Sequence, residues 1–173
     1  MTQESSSPRP TDPLRERIAP VLGQTPSGIF VLTASDGDGH ETGMLASWVQ
    51  QASFSPPMIS VAVNRKRYLH DWLKKSPQLA LSIVAESQSR FLKHFGRGFE
   101  PDEPAFEGVE IIRGVTGLPL LAESMGYLEG RVSGQAEAGD HVVYLVEILG
   151  AGSGENIATQ KPMVHIRKNG FNY

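Results

Sequence analysis

Four stretches of the chain carry side chains whose types and spacing suit chemistry. They are Gly43 to Pro57, Asn64-Arg65-Lys66-Arg67, His94-Phe95-Gly96 and Gly139-Asp140-His141. In the first, Met44, Ala46 and Trp48 alternate with Leu45, Ser47 and Val49, so one face of a strand could meet a ligand while the other meets core. Gly43 lets a backbone approach closely, and the small residues Ala46, Ser47, Ala52 and Ser53 suit contact with polar oxygens. In the second, three cations stand before the start of a helix, where side chains and free amides could hold a phosphate, with Arg65 or Lys66 favoured over Arg67. A solvated basic cluster accounts for each cation about as well. His141 can titrate near neutrality, either beside a ligand or simply packed next to Asp140.

Other chemistries find less support. Gly37, Gly39 and Gly43 miss the spacing of a dinucleotide loop, and Gly150, Gly152 and Gly154 are not followed by a helical pattern, so a flexible turn is expected there. No phosphate-binding loop of the nucleotide-hydrolase type occurs. The five histidines, at 40, 70, 94, 141 and 165, are scattered and lack the i, i+4 pairing of a zinc site. Ser47 and Ser53 lack a Gly-x-Ser-x-Gly elbow. With no cysteine in the sequence, disulfides, thiolate metal sites and a cysteine nucleophile are excluded.

The elements that would position these residues read mainly as strands. Residues 1–12 are polar, rich in Ser and Pro, and are expected to form a disordered tail, leaving 13–173 as one domain. Asp12 can cap a short amphipathic helix from Pro13 to Leu22, stopped by Gly23. Strands are expected at Ile29 to Thr33, Thr42 to Gln51 and Met58 to Val63, the third introduced by the Pro56-Pro57 turn. A helix through Tyr68 to Leu73, a buried strand at Leu79 to Ala85 and a helix from Arg90 to Phe95 follow. Gly96 to Pro104 reads as an exposed loop able to act as a lid. The last third carries strands at Val109 to Ile112, Pro119 to Ala122, Gly126 to Val132 and His141 to Leu149, with Gly139-Asp140 as a hairpin turn. Strands without alternating long helices predict an antiparallel barrel with a few peripheral helices.

Composition limits the partners. Sixteen Lys plus Arg against nineteen Asp plus Glu leave a net charge of −3, too little for a global field that recruits nucleic acid or anionic membrane. The start of the chain lacks a signal-peptide pattern and no segment has the apolar length of a membrane span, so a cytoplasmic location is expected.

The order Gly28-Ile-Phe-Val-Leu-Thr, then Gly43-Met-Leu-Ala-Ser-Trp-Val-Gln-Gln-Ala-Ser-Phe-Ser-Pro-Pro57, then a strand ending in Asn64-Arg65, resembles the flavin reductase-like family, an FMN-binding split barrel. Ala138-Gly139-Asp140-His141 is similar to that family's Gly-Asp-His hairpin. The resemblance runs from Pro26 to the C-terminus and is strongest to the reductase modules appended to flavodiiron proteins. It implies bound FMN, NADH or NADPH as electron donor, and electrons passed to free flavin, a flavodiiron or monooxygenase partner, or oxygen. It also implies a homodimer. On this resemblance Met44, Leu45, Ala46, Ser47, Trp48 and Ser53 contact the flavin, Arg65 or Lys66 holds its phosphate, and His141 serves the nicotinamide. His94 and Phe95 would border the ring, and Tyr173 would reach the partner subunit's flavin. An isoalloxazine ring needs a flat apolar surface with polar groups at its edge, which such a strand and turn provide. An FMN-binding electron carrier without nicotinamide reactivity, and a flavin-free interaction domain, are the competing readings.

Overall fold

The computed structural model describes residues 12–155 and 157–171, so of the expected tail only Asp12 is described. These residues fall into two compact units, one of 27–164 and one combining 12–26 with 165–171. In the smaller unit, helix α1 (Pro13–Gly23) starts where the capping pattern predicts, with Leu14 N donating to Asp12 Oδ1 at 3.0 Å. Its apolar residues are not a buried face, since Leu14 is 60% and Val21 70% exposed. The segment after it returns to the helix end, where Arg167 N donates to Gly23 O and Gly170 N to Ala19 O.

The larger unit is built on strands. In chain order they are β1 (Ser27–Gly28), β2 (Phe30–Ser35), β3 (Glu41–Ala46), β4 (Val49–Phe54) and β5 (Pro57–Asn64), then β6 (Gln78–Ile83) after helix α2 (Leu69–Lys75). Helix α3 (Ser89–Phe95) precedes β7 (Ile111–Arg113), β8 (Pro119–Leu121), β9 (Gly126–Ala138), β10 (His141–Ser153) and β11 (Val164–His165). Seven of them form one sheet in the order β3-β2-β6-β9-β10-β5-β4. Every pairing in that sheet is antiparallel.

The single strand expected at Thr42 to Gln51 is two strands. The break falls at Ser47-Trp48, and the halves β3 and β4 lie at opposite edges of the sheet. Two linking residues span at most about 11 Å from Ala46 to Val49 at 3.8 Å per step. The sheet must therefore curl until its edges nearly meet, giving an antiparallel barrel left unclosed between β3 and β4. Trp48 carries the β4–β5 ladder one residue into the link by accepting a bond from Ala62 N of β5 at 3.0 Å. Ala46 and Val49, three residues apart, both enter the inner core, so the pleat restarts at the link.

The inner core follows strict alternation, as in Ile59, Val61 and Val63 of β5, and α2 covers one end with Leu69 and Leu73. Each fully buried aliphatic side chain contributes about 1.5–3 kcal/mol. A second cluster packs Val31 and Leu45 from the other face of β2 and β3 against Phe91 and Phe95 of α3 and against Phe106. The sequence reading places α2, α3, β5, β6 and β8, overlaps β7 in part and misses β11; it underestimates β9 and β10, each 13 residues long, so that Gly150 and Gly152, expected in a flexible turn, lie within β10. Residues 96–104 contain no helix or strand, as expected of the loop, and the irregular stretch runs on to residue 110, so the strand expected from Val109 begins only at Ile111.

Candidate functional site

The β5–β10 ladder pairs Asn64 with His141, which joins the cationic turn to the Gly139-Asp140 hairpin. Gly139 takes φ of +63°, a conformation the two-residue turn requires and other residues resist. His141 is buried, and its ring lies 4.6 Å from that of half-buried Trp48, tilted by 42°. Its Nδ1 is bonded to Asp140 Oδ1 at 2.7 Å, and Asp140 itself is 85% exposed at the side chain. One edge of the imidazole is thereby fixed by a carboxylate, while the ring packs on the indole. Trp48 and His141 thus meet at the gap in the barrel, beside the end of β5, with buried Ser47 next to Trp48 in the chain.

The turn after β5 differs from the sequence expectation of free amides. Arg65 N donates to Asp140 O at 2.9 Å, Lys66 N to Asn64 Oδ1 at 3.0 Å and Arg67 N to Asn64 O at 3.0 Å. None of these three amides is open to an anion. The Arg65 guanidinium is engaged as well, through Nε to Gly139 O at 2.7 Å and an ion pair with Glu137. The exposed Lys66 and Arg67 are the cations of this turn without an ion pair among the described residues.

Below the turn, His70 and Tyr144 form a closed network. His70 Nε2 donates to Asn64 O at 2.9 Å, which leaves Nδ1 to accept from the Tyr144 hydroxyl at 2.6 Å. Burial, with the negative charge of Asp71 adding to it, raises the Tyr144 pKa, so the hydroxyl keeps its proton. Beside them Tyr68 donates to Phe99 O at 2.9 Å and lies 2.7 Å from Thr42 Oγ1, and burial raises its pKa too. These residues carry no motif, because the pairing of His70 with Tyr144 crosses 74 positions.

The remaining predicted residues disperse. Met44 and Ala46 face the inner core and Leu45 the phenylalanine cluster. Ser53 is half-buried on the edge strand β4, whose Gln50, Gln51, Ala52 and Phe54 are exposed. Phe95, 1% exposed, is a core residue with no surface for a ring. His94 is held by Ala105 O at 2.9 Å and packs on Phe95 and Phe99. Gly43 makes room for that cluster and not for a ligand, since a Cβ there would lie 2.7 Å from Phe95 Cε1. Tyr173 lies outside the described residues.

A cavity of about 470 Å³ lies elsewhere, lined by Gln88, Glu123, Tyr127 and Gly154 among others. At the gap, half-buried Trp48 packs on buried His141, a pairing that suits one wall for a flat ligand. The donor set fits a flavin: an indole and imidazole for the ring, small Ser47 for its edge, and the ammonium of Lys66 for a phosphate. No group of three or more His, Asp or Glu able to hold a metal occurs among the described residues. The buried carboxylate of Glu129 is engaged by Val115 N, Thr116 N and Thr116 Oγ1 at 2.6–3.0 Å.

Comparison with known proteins defines the class. Residues 22–172 match the model of the family described as "Flavin reductase like domain". Diflavin flavoprotein A 1 of Synechocystis sp. is 36% identical over 125 residues, covering 71% of this chain and 22% of the relative. The chain spans about a quarter of the length of the curated relatives it matches. Among solved structures, the Streptomyces globisporus C-1027 NADH:FAD oxidoreductase SgcE6 superposes with a TM-score of 0.78 at 26% identity, covering 95% of each chain. The same protein in complex with NAD and FAD fragments gives 0.75 at 26% identity, covering 93% of this chain and 92% of that one. Fold and relatives together place the chain among flavin reductase-like domains. The chain belongs to the flavin reductase-like domain family.

Proposed function

We propose that this chain binds FMN at the gap between β3 and β4 and transfers hydride from NADH or NADPH to it, as a reductase domain of residues 13–173. The observation that carries this reading is the Trp48–His141 ring pair at 4.6 Å, joined through the β5–β10 ladder to the Asn64–Arg67 turn. A bound flavin supplies the hydride acceptor. Trp48 presents an apolar face to the ring, and Ser47, at the restart of the pleat, offers a hydroxyl to its edge. Lys66 neutralises the phosphate. The imidazole of His141, held at Nδ1 by Asp140, orients the nicotinamide and keeps the two rings in close register. Such positioning needs few acid–base groups, consistent with a site holding one histidine and no carboxylate pair.

FMN is favoured over FAD because the cationic turn offers Lys66 and Arg67 as its exposed cations without an ion pair among the described residues, enough for one phosphate. SgcE6, described with FAD, is a reason to test both. The exposed residues of edge strand β4 favour a homodimer, in which a second copy would complete the flavin's surroundings. The acceptor would be free flavin, oxygen, or a flavodiiron or monooxygenase partner. A cytoplasmic setting belongs to the same reading. No helix among the described residues is long and apolar enough to cross a membrane.

The test is the visible spectrum of the purified protein after addition of FMN or FAD, followed by anaerobic stopped-flow with each nicotinamide. Bleaching of bound FMN by NADH or NADPH is the expected result. A yellow protein that neither nicotinamide reduces would instead be an electron carrier, and failure to bind either flavin would overturn the proposal.

A further inference from the structure

By charge and position Arg65 is a candidate phosphate ligand, yet every donor it is seen to use points into the β9–β10 hairpin. Its backbone N–H reaches Asp140 O at 2.9 Å, its Nε reaches Gly139 O at 2.7 Å, and the guanidinium end pairs with Glu137. The ladder pair Ala138–His141 leaves Gly139 and Asp140 as the tip, and Arg65 engages the carbonyls of both. A Cβ at Gly139 would meet nothing within 4 Å, and the side chain of Asp140 is 85% exposed. From that tip Asp140 Oδ1 binds His141 Nδ1 at 2.7 Å, and His141 packs on Trp48 at 4.6 Å. A continuous set of contacts therefore leads from Arg65 to the ring pair.

We propose that Arg65 is a positioning residue, a clamp that fixes the Glu137-to-His141 tip and so seats His141 on Trp48, and that it does not bind the flavin phosphate. A phosphate approaching this guanidinium would have to displace a carboxylate of its own sign. An isolated exposed ion pair would be weak. Here the planar fork adds a carbonyl bond in fixed geometry, which lysine cannot reproduce. The inference deepens the flavin reading and relies on it only for the kinetic consequence.

The test compares Arg65→Gln and Glu137→Gln by two independent readouts. Without flavin, the Cε1–H resonance of His141 in a proton–carbon NMR spectrum reports the ring current of Trp48. Both variants should move it toward the free-histidine position while the other histidines stay in place, and Arg65→Lys should fall between. With flavin, the ratio of FMN to riboflavin affinity should change less than twofold in either variant, and hydride transfer should fall about fivefold in both. An unmoved His141 resonance would overturn the clamp. So would a tenfold loss of FMN affinity in Arg65→Gln with riboflavin unaffected, or tighter FMN in Glu137→Gln, because removal of Glu137 would free a phosphate ligand. If the wild type binds no flavin the function proposal fails, while the NMR comparison still decides the clamp.

Discussion

His70 and His141 lie on two sides of Asn64, and the protein uses them in opposite ways. His70 gives one ring nitrogen to the Asn64 carbonyl and takes the Tyr144 hydroxyl on the other, so it has no capacity left for a ligand. His141, the ladder partner of Asn64, has one nitrogen bound to an exposed carboxylate and its ring against a half-buried indole. The first closes a network that supports the turn; the second leaves an edge for chemistry. Residue type does not separate the two, and burial points the other way, since His141 is buried and His70 half-buried. What separates them is how many of their hydrogen-bonding positions the fold itself fills.

The comparison breaks if the two histidines behave alike on removal. His70→Ala strands the Tyr144 hydroxyl and one bond of the Asn64 carbonyl, and should lower unfolding stability by about 2–3 kcal/mol. Urea denaturation measures this. His141→Ala should cost only about 1 kcal/mol in the same experiment, through loss of the ring contact with Trp48. Its hydride transfer, followed by stopped-flow, should fall about tenfold. Equal losses of stability would remove the distinction.

Gly43 sharpens the same lesson within the segment that carries the resemblance. A Cβ at Gly43 would sit 2.7 Å from Phe95 and 3.0 Å from Phe106, both aromatic rings in a packed cluster. Gly43→Ala should cost about 1–3 kcal/mol by overpacking. Flavin affinity, titrated by absorbance, should stay within twofold. A large loss of affinity with stability intact would return Gly43 to a ligand-facing role.

The same residues mark how much of the molecule is legible in its amino-acid order. The spacing of apolar residues marks strands wherever one face is buried throughout, as at Ile59, Val61 and Val63, and the same alternation misleads where the chain crosses from one sheet edge to the other. Met44 through Val49 looks unbroken because Ala46 and Val49 are both apolar; their shared inward direction appears only when the sheet curls. The positions of Trp48 and His141 are legible as local motifs. Their contact is not, since it depends on the ladder register that joins β5 to β10. Arg65 reads by charge alone as a phosphate ligand, and its partners Gly139 and Glu137, more than 70 residues away, are supplied by the hairpin.

The smallest effect is the alkaline limit of the closed network. Burial raises the pKa of Tyr144, helped by Asp71, and raises that of Tyr68 against the opposing bond from Thr42. For each, the folded state holds its proton longer than the unfolded chain does. Their contribution is fully present below the unfolded tyrosine value of about 10 and is lost as pH rises through the higher folded value. Urea midpoints should therefore fall above about pH 10. Tyr144→Phe leaves His70 Nδ1 without its donor and should be less stable than wild type by about 1 kcal/mol at pH 8. That difference should narrow as pH rises, because only the wild type then has a Tyr144 proton to lose. A gap that stays constant to pH 11 would mean that the hydroxyl proton is not what holds His70, and the two histidines would have to be distinguished on other grounds.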